Sequence, residues 1–119
     1  DETVLAEIRK RYPETKFTQT NDAKAAVKDA DVVYTDVWAS MGQEAEVQER
    51  TAAFADFQVT AELLAAAPDT CRFMHDLPAR RGLEVTDDVM DGDQSIVFQQ
   101  AENRMHLAKG LLAWLIEAG

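Results

Sequence analysis

The stretch Asp31-Val32-Val33-Tyr34-Thr35-Asp36 decides the fold of this chain. Its four central residues are β-branched or aromatic, which predicts a strand over 32–35. A second strand is predicted over Arg72-Phe73-Met74-His75, and a third over residues 95–98. Helical patterns separate the three strands, as is typical of parallel βαβ units with right-handed crossovers. We therefore predict an α/β fold with a mostly parallel sheet flanked by helices.

The helices follow from apolar spacing and from start and stop signals. Val4, Leu5 and Ile8 recur at helical spacing until Pro13 stops the first helix. Further helices are predicted over 23–28, 43–54, 62–67, 85–90 and 99–118, and residues 16–19 form a short run that leans towards β structure. Asn21 or Asp22 is the expected cap of the helix over 23–28, and Thr86 that of the helix over 85–90.

Composition limits the classes of function. The chain has 119 residues, 46% of them hydrophobic, and a net charge of −10, which fits one domain with a core of its own. The negative charge disfavours nucleic acids and anionic membranes as general partners, because their phosphates are repelled. No apolar run approaches the ~20 residues of a membrane-spanning helix. A single cysteine, Cys71, is typical of a reducing, cytoplasmic protein. We expect neither a metal nor another cofactor, since no zinc spacing or phosphate-binding glycine loop is present.

Polar segments follow each predicted strand, at 36–42, 75–82 and 99–104. The carboxyl ends of parallel strands form the ligand-binding edge of such a sheet, so these segments should converge. Asp36 and Asp76 would then share one crevice, where two carboxylates can bind an amine or divide acid and base roles. Capping of their own loops is the competing interpretation, and spacing alone favours it. His75, as a lone histidine at a strand end, is more often structural than catalytic.

Arg104 stands out on the terminal helix. Ala101, Met105, Ala108, Leu112 and Leu115 form an apolar stripe at four-three spacing. Arg104 falls inside that stripe, and we expect the stripe to face the core. A guanidinium there needs an anionic partner, and arginine suits bidentate binding of phosphate or carboxylate. A structural ion pair, or a side chain that reaches out to solvent, remains the alternative.

In combination these stretches resemble the C-terminal, amino-acid-binding domain of the ornithine carbamoyltransferase family. The matching residues are Asp31 to Trp38, Ser40-Met41-Gly42, Met74-His75, Leu77-Pro78-Ala79, Arg81-Gly82, Glu84-Val85-Thr86 and Gln100-Ala101-Glu102-Asn103-Arg104. The match covers nearly the whole chain in order. It implies a three-layer, Rossmann-like domain.

The resemblance implies transfer of a carbamoyl group from carbamoyl phosphate to the δ-amine of L-ornithine. The products are L-citrulline and phosphate, as in arginine biosynthesis. By the family pattern, Asp36 holds the ornithine amines. Ser40 and Met41 bind the amino-acid end of the same substrate.

The family pattern also implies a carbamoyl phosphate site. Backbone carbonyls around Asp76 and Leu77 would accept the carbamoyl NH₂ group, and Arg104 would face carbamoyl phosphate. The peptide bond between Leu77 and Pro78 would be cis. We assign catalytic roles to Asp36, Asp76 and His75. The His75 side chain would help to orient the carbonyl of carbamoyl phosphate.

Two departures from the family matter. Asp76 stands where the family carries cysteine, so a carboxylate replaces a polarizable thiol near the attacking amine. The chain is also short, and nothing in it matches the Ser-Thr-Arg-Thr loop of the family's N-terminal domain. We therefore expect residues 1–119 to be a single, partial ornithine-binding domain that is inactive alone, and a homotrimer only for the full-length enzyme.

Other functions remain open. A carbamoyltransferase for another amine, such as putrescine, is one alternative, although Ser40-Met41-Gly42 serves an amino-acid end that putrescine lacks. A non-catalytic amino-acid-binding or assembly module is another, and it fits Asp76 and the short chain. A nucleotide-binding domain is disfavoured because the glycine fingerprint is missing.

Overall fold

The computed structural model describes residues 2–39 and 46–118, and within them the chain is an α/β, Rossmann-like domain. Its helices are α1 (Glu2–Arg11), α2 (Ala23–Val27), α3 (Val47–Phe54), α4 (Ala61–Leu64), α5 (Asp87–Met90) and α6 (Val97–Glu117). Its strands are β1 (Val32–Thr35) and β2 (Arg72–His75), and a short 3₁₀ turn, Ala55–Phe57, follows α3. Both strands have the predicted bounds.

The two strands are parallel neighbours, and their register runs from Val32 opposite Arg72 to Thr35 opposite His75. Ser95 adds one parallel bridge beside Phe73. The third predicted strand, over 95–98, is wrong beyond that bridge, because α6 already begins at Val97. An apolar run of four residues does not separate a strand from the buried first turn of a helix. Val97 is fully buried in that turn.

The hydrophobic core gathers around Phe73 in the middle of β2. Its buried members are Val59, Leu64, Cys71, Phe73, Val85, Val89, Met90 and Val97. Apart from Phe73, they come from loops, from α4 and α5, and from the first turn of α6, on both sides of β2 in the sequence. Packing of this kind fixes the position of β2 and hence of the residues at its carboxyl end.

Capping is confirmed at one predicted helix and differs at another. Asp22 Oδ1 accepts a hydrogen bond from the Ala25 N–H at 3.0 Å and so caps α2. Thr86 occupies the N-cap position of α5, but its hydroxyl makes no cap bond and instead donates to the Val59 carbonyl at 3.4 Å. No strand forms over residues 16–19, where every side chain is exposed.

The expected core-facing stripe of α6 is wrong. Met105, Leu112 and Leu115 are all more than half exposed, and Arg104 is exposed with them. Periodicity identifies the residues that share a helix face, but it does not show what covers that face. Among the described helices, α6 included, none is long and apolar enough to cross a membrane.

Candidate active site

The carboxyl ends of β1 and β2 form one site. Since Thr35 lies opposite His75, the next residues, Asp36 and Asp76, leave the sheet side by side. A carboxylate oxygen of Asp36, a ring nitrogen of His75 and a carboxylate oxygen of Asp76 all lie within 4.8 Å of one another. Beside them is a cavity of about 230 Å³ that is lined by Asp36, Val37, Ala39, Asp76, Leu77, Pro78 and Arg80.

Asp36 caps its own loop and also lines the cavity. Its Oδ1 accepts a hydrogen bond from the Val37 N–H at 2.6 Å, so the carboxylate caps its own loop. The side chain also lines the cavity and is exposed. A carboxylate accepts at about four lone-pair positions, and this one can therefore also bind an amine.

His75 lies beneath the site and is buried. Its Nδ1 accepts a hydrogen bond from the Leu77 N–H at 2.9 Å, and its Nε2 lies 3.2 Å from Glu84 Oε1. Asp76 Oδ1 is 3.5 Å from the same Nδ1, and it is a buried atom without a hydrogen-bond partner among the described residues. Since Nδ1 already acts as an acceptor, it has no proton to donate to Asp76. The ring therefore contacts the site without bonding to the Asp76 carboxylate.

The turn after β2 carries the feature that the resemblance predicted. The peptide bond between Leu77 and Pro78 is cis, and Leu77 has a φ of 58°. A positive φ is uncommon for leucine and needs support from its surroundings. The Leu77 N–H bond to His75 supplies part of that support. At the far end of the turn, the Arg80 N–H donates to Glu84 Oε1.

Helix α6 brings two side chains to this edge. Arg104 Nη1 donates to the Asp76 carbonyl at 2.9 Å. Gln100 Oε1 accepts from the His75 N–H at 3.1 Å, and Gln100 Nε2 donates to the Tyr34 hydroxyl at 3.1 Å. Gln100 thus links the ends of both strands to the helix.

Sequence reasoning did not assign roles to Gln100 and Glu84. The spacing of Gln100 and Arg104, four residues apart on one helix face, was the available signal for Gln100. For Glu84 nothing in the sequence indicates burial. Ser40 and Met41, predicted to bind the amino-acid end of the substrate, lie outside the described residues.

The acidic cluster does not make a metal site by itself. Asp36, His75 and Asp76 have a spacing that one cation can span. The ring nitrogen nearest Asp76, however, is already bonded to the Leu77 N–H. The nearby Arg81 forms its ion pairs outside this cluster, with Asp87 at 2.8 Å and with Asp91 at 2.6 Å.

Comparison with known proteins identifies the family. Residues 1–115 match the family model described as aspartate/ornithine carbamoyltransferase, Asp/Orn binding domain. The chain belongs to the aspartate/ornithine carbamoyltransferase family. An ornithine carbamoyltransferase of Methanosarcina acetivorans is 57% identical over 101 residues, which are 85% of this chain and 33% of the relative.

A second organism provides both a curated relative and a solved structure. The anabolic ornithine carbamoyltransferase of Pyrococcus furiosus is 52% identical over 115 residues, 95% of this chain and 36% of that protein. A solved ornithine carbamoyltransferase structure from P. furiosus has a TM-score of 0.83, with 95% of this chain and 37% of that chain covered. The chain spans about a third of the length of the family members it matches.

Proposed function

We propose that this chain forms the ornithine-binding part of an ornithine carbamoyltransferase. In this reaction the δ-amine of L-ornithine attacks the carbonyl carbon of carbamoyl phosphate, and L-citrulline and phosphate are the products. The observation that carries the proposal is the edge of the sheet, where Asp36 lies beside Asp76 and Arg104 contacts the Asp76 carbonyl. Identity above 50% to named ornithine carbamoyltransferases supports it.

Asp36 binds the amine of ornithine in this proposal. Its exposed carboxylate lines the cavity and attracts the cationic side chain of the substrate. An amine must lose a proton before it can attack a carbonyl, so a carboxylate at this position also orients the nitrogen during that loss. Ser40 and Met41 bind the amino-acid end, as the family pattern implies.

Carbamoyl phosphate lies on the other side of the cavity. The carbonyls of Asp76 and Leu77 accept hydrogen bonds from its NH₂ group. A carbonyl oxygen has two lone pairs, and the Asp76 carbonyl can therefore accept from Arg104 and from the substrate together. Arg104 has further N–H donors, which stabilise negative charge on the phosphate and on the developing oxyanion.

The Asp76 carboxylate distinguishes this site from the family pattern with cysteine. It doubles the negative charge at the place where the amine binds, which favours the protonated form of the substrate. The wider setting we propose is the biosynthetic direction, in the cytoplasm and without a cofactor. The word "anabolic" in the name of the P. furiosus relative supports that direction.

Amide-resolved NMR titration with L-ornithine tests the proposal. We expect shifts at residues 36–39 and 76–80, and at least about tenfold weaker binding in Asp36→Asn, since a hydrogen bond to a charged group contributes ~1.5–3 kcal/mol. Asp29→Asn, which removes an exposed carboxylate elsewhere, serves as the control and should leave the affinity unchanged. Putrescine, without the amino-acid end, should bind more weakly than ornithine. Equal affinities of the Asp36→Asn and wild-type chains would contradict the proposal.

A further inference from the structure

Glu84 is a fully buried carboxylate without a role in the reaction described above. Its side chain has no solvent exposure, and Oε2 has no hydrogen-bond partner among the described residues. Burying a carboxylate costs free energy unless its oxygens are satisfied. Oε1 is satisfied twice, by the Arg80 N–H and by His75 Nε2 at 3.2 Å. This double contact points to a purpose for Glu84 at the site.

The hydrogen bonds determine where the proton of His75 lies. A backbone N–H can only donate, so Nδ1 of His75 must be the acceptor in the 2.9 Å contact with Leu77. The neutral ring then carries its proton on Nε2, which donates to Glu84 Oε1. A doubly protonated ring between Glu84 and Asp76 is the alternative. In that ring the Nδ1–H and the Leu77 N–H would face each other across 2.9 Å, and two donors without an acceptor repel each other.

We propose that Glu84 is a positioning residue that holds His75 in the Nε2–H tautomer and thereby fixes the turn over residues 77–80. Nδ1 stays free of a proton and keeps the Leu77 N–H, which supports the positive φ of Leu77. The same Glu84 oxygen keeps the Arg80 N–H at the other end of the turn. One carboxylate oxygen thus holds both ends of the segment that lines the cavity.

This inference depends on the proposed function in one respect only, which is the identity of the substrate that binds at the turn over residues 77–80. The imidazole, the turn and Glu84 are properties of the chain without ligand. Their test can therefore succeed or fail independently of ornithine binding.

The first experiment is ¹⁵N NMR of the histidine rings at neutral pH. The sequence holds two histidines, and a His106→Asn variant assigns the signals of His75. We expect an unprotonated, acceptor-type Nδ1 and a protonated Nε2. A ring protonated on Nδ1, alone or together with Nε2, would overturn the inference.

Two substitutions of Glu84 separate its acceptor oxygen from simple space filling. Glu84→Gln keeps a carbonyl oxygen, and Glu84→Leu removes it at similar volume. We expect amide exchange of Leu77 to accelerate at least about tenfold in Glu84→Leu and to stay near wild type in Glu84→Gln, since one lost hydrogen bond of ~1.4 kcal/mol is tenfold. The Phe73 amide in the core reports whether the variant is folded. Unchanged Leu77 exchange in a folded Glu84→Leu chain contradicts the proposal.

A second pair of variants decides the matter if Glu84→Leu does not fold. His75→Asn places an amide oxygen near the position of Nδ1, and His75→Gln places its amide near that of Nε2. Leu77 should exchange at about the wild-type rate in His75→Asn and faster in His75→Gln. Equal rates in the two variants would overturn the role of Nδ1. If the wild-type chain binds no ornithine, the proposed function fails while these ring and amide results still stand.

Discussion

Arg104 and Asp76 are 28 residues apart in the sequence, and the guanidinium of the first donates to the backbone carbonyl of the second at 2.9 Å. This bond ties the beginning of α6 to the carboxyl end of β2. It uses one of the N–H donors of Arg104, whose side chain is exposed. The guanidinium is a positive group close to the Asp36 and Asp76 carboxylates, and it is the group at this edge that can pair with an anion.

Arg104→Met should weaken the binding of inorganic phosphate, measured by NMR shifts at residues 76–80, while the free energy of unfolding changes by no more than about 0.5 kcal/mol. The guanidinium is exposed, so its loss creates no cavity. Arg72→Met is the matched control, because Arg72 is another exposed arginine that donates to a backbone carbonyl, that of Asp93 at 3.2 Å. Equal loss of phosphate binding in both variants would show a general charge effect only.

Asp76→Cys should raise the free energy of unfolding by about 1 kcal/mol, because it removes a buried oxygen that lacks a hydrogen-bond partner. It also removes one of two neighbouring negative charges, the other being on Asp36. Urea denaturation measures the change, with Asp69→Cys as the control at an exposed aspartate. A destabilised Asp76→Cys chain would show that the carboxylate supports the turn.

Gly82→Ala should lower the free energy of unfolding by about 1–2 kcal/mol, the cost of placing a side chain at positive φ. Gly82 has a φ of 83° and its N–H donates to the Val85 carbonyl at 2.8 Å. A Cβ atom would meet nothing within 4 Å there, so the loss comes from the backbone conformation and not from a clash. Gly110→Ala also meets open space, but within helix α6, and should not destabilise the chain.

Acid should weaken the Arg81–Asp91 ion pair. The guanidinium of Arg81 lowers the pKa of Asp91 below its ordinary value of 3.8. Since the folded-state pKa is the lower one, the pair's contribution to stability is complete above pH 3.8. It is lost as the pH falls through the lowered pKa. Urea unfolding of the wild-type and Asp91→Asn chains between neutral and acidic pH measures this. The difference between them should shrink on acidification, and a constant difference would exclude the ion pair as its cause.

The two strands were predictable because β-branched and aromatic residues dominate both. The third strand was not, because the run of residues 95–98 is too short to distinguish a strand from the start of a helix. The exposed apolar stripe of α6 shows a similar limit. Its spacing is that of a buried helix face, but the sequence does not show which residues would pack against that face.

Within the site, the predicted ends of β1 and β2 indicated that Asp36 and Asp76 lie close together. The resemblance predicted the cis peptide bond before Pro78. The roles of Ser40 and Met41 stay predictions. Glu84 could not be recognised as buried, because its burial results from the folding of residues 80–84 back onto His75. That contact is tertiary and has no local signature.

Helix α6 has a consequence for how the chain melts. Val97 is its only buried residue among those described, and every described position after Ala101 is exposed. A helix that receives so little tertiary support follows helix–coil statistics and frays from its exposed turns after Ala101. The helical circular dichroism should therefore decline gradually with temperature, while the fluorescence of the half-buried Trp38, measured in a Trp114→Phe chain, changes cooperatively. The two curves will not superimpose, because the fraying of α6 is separate from the cooperative unfolding of the core to which the free energies of unfolding above refer.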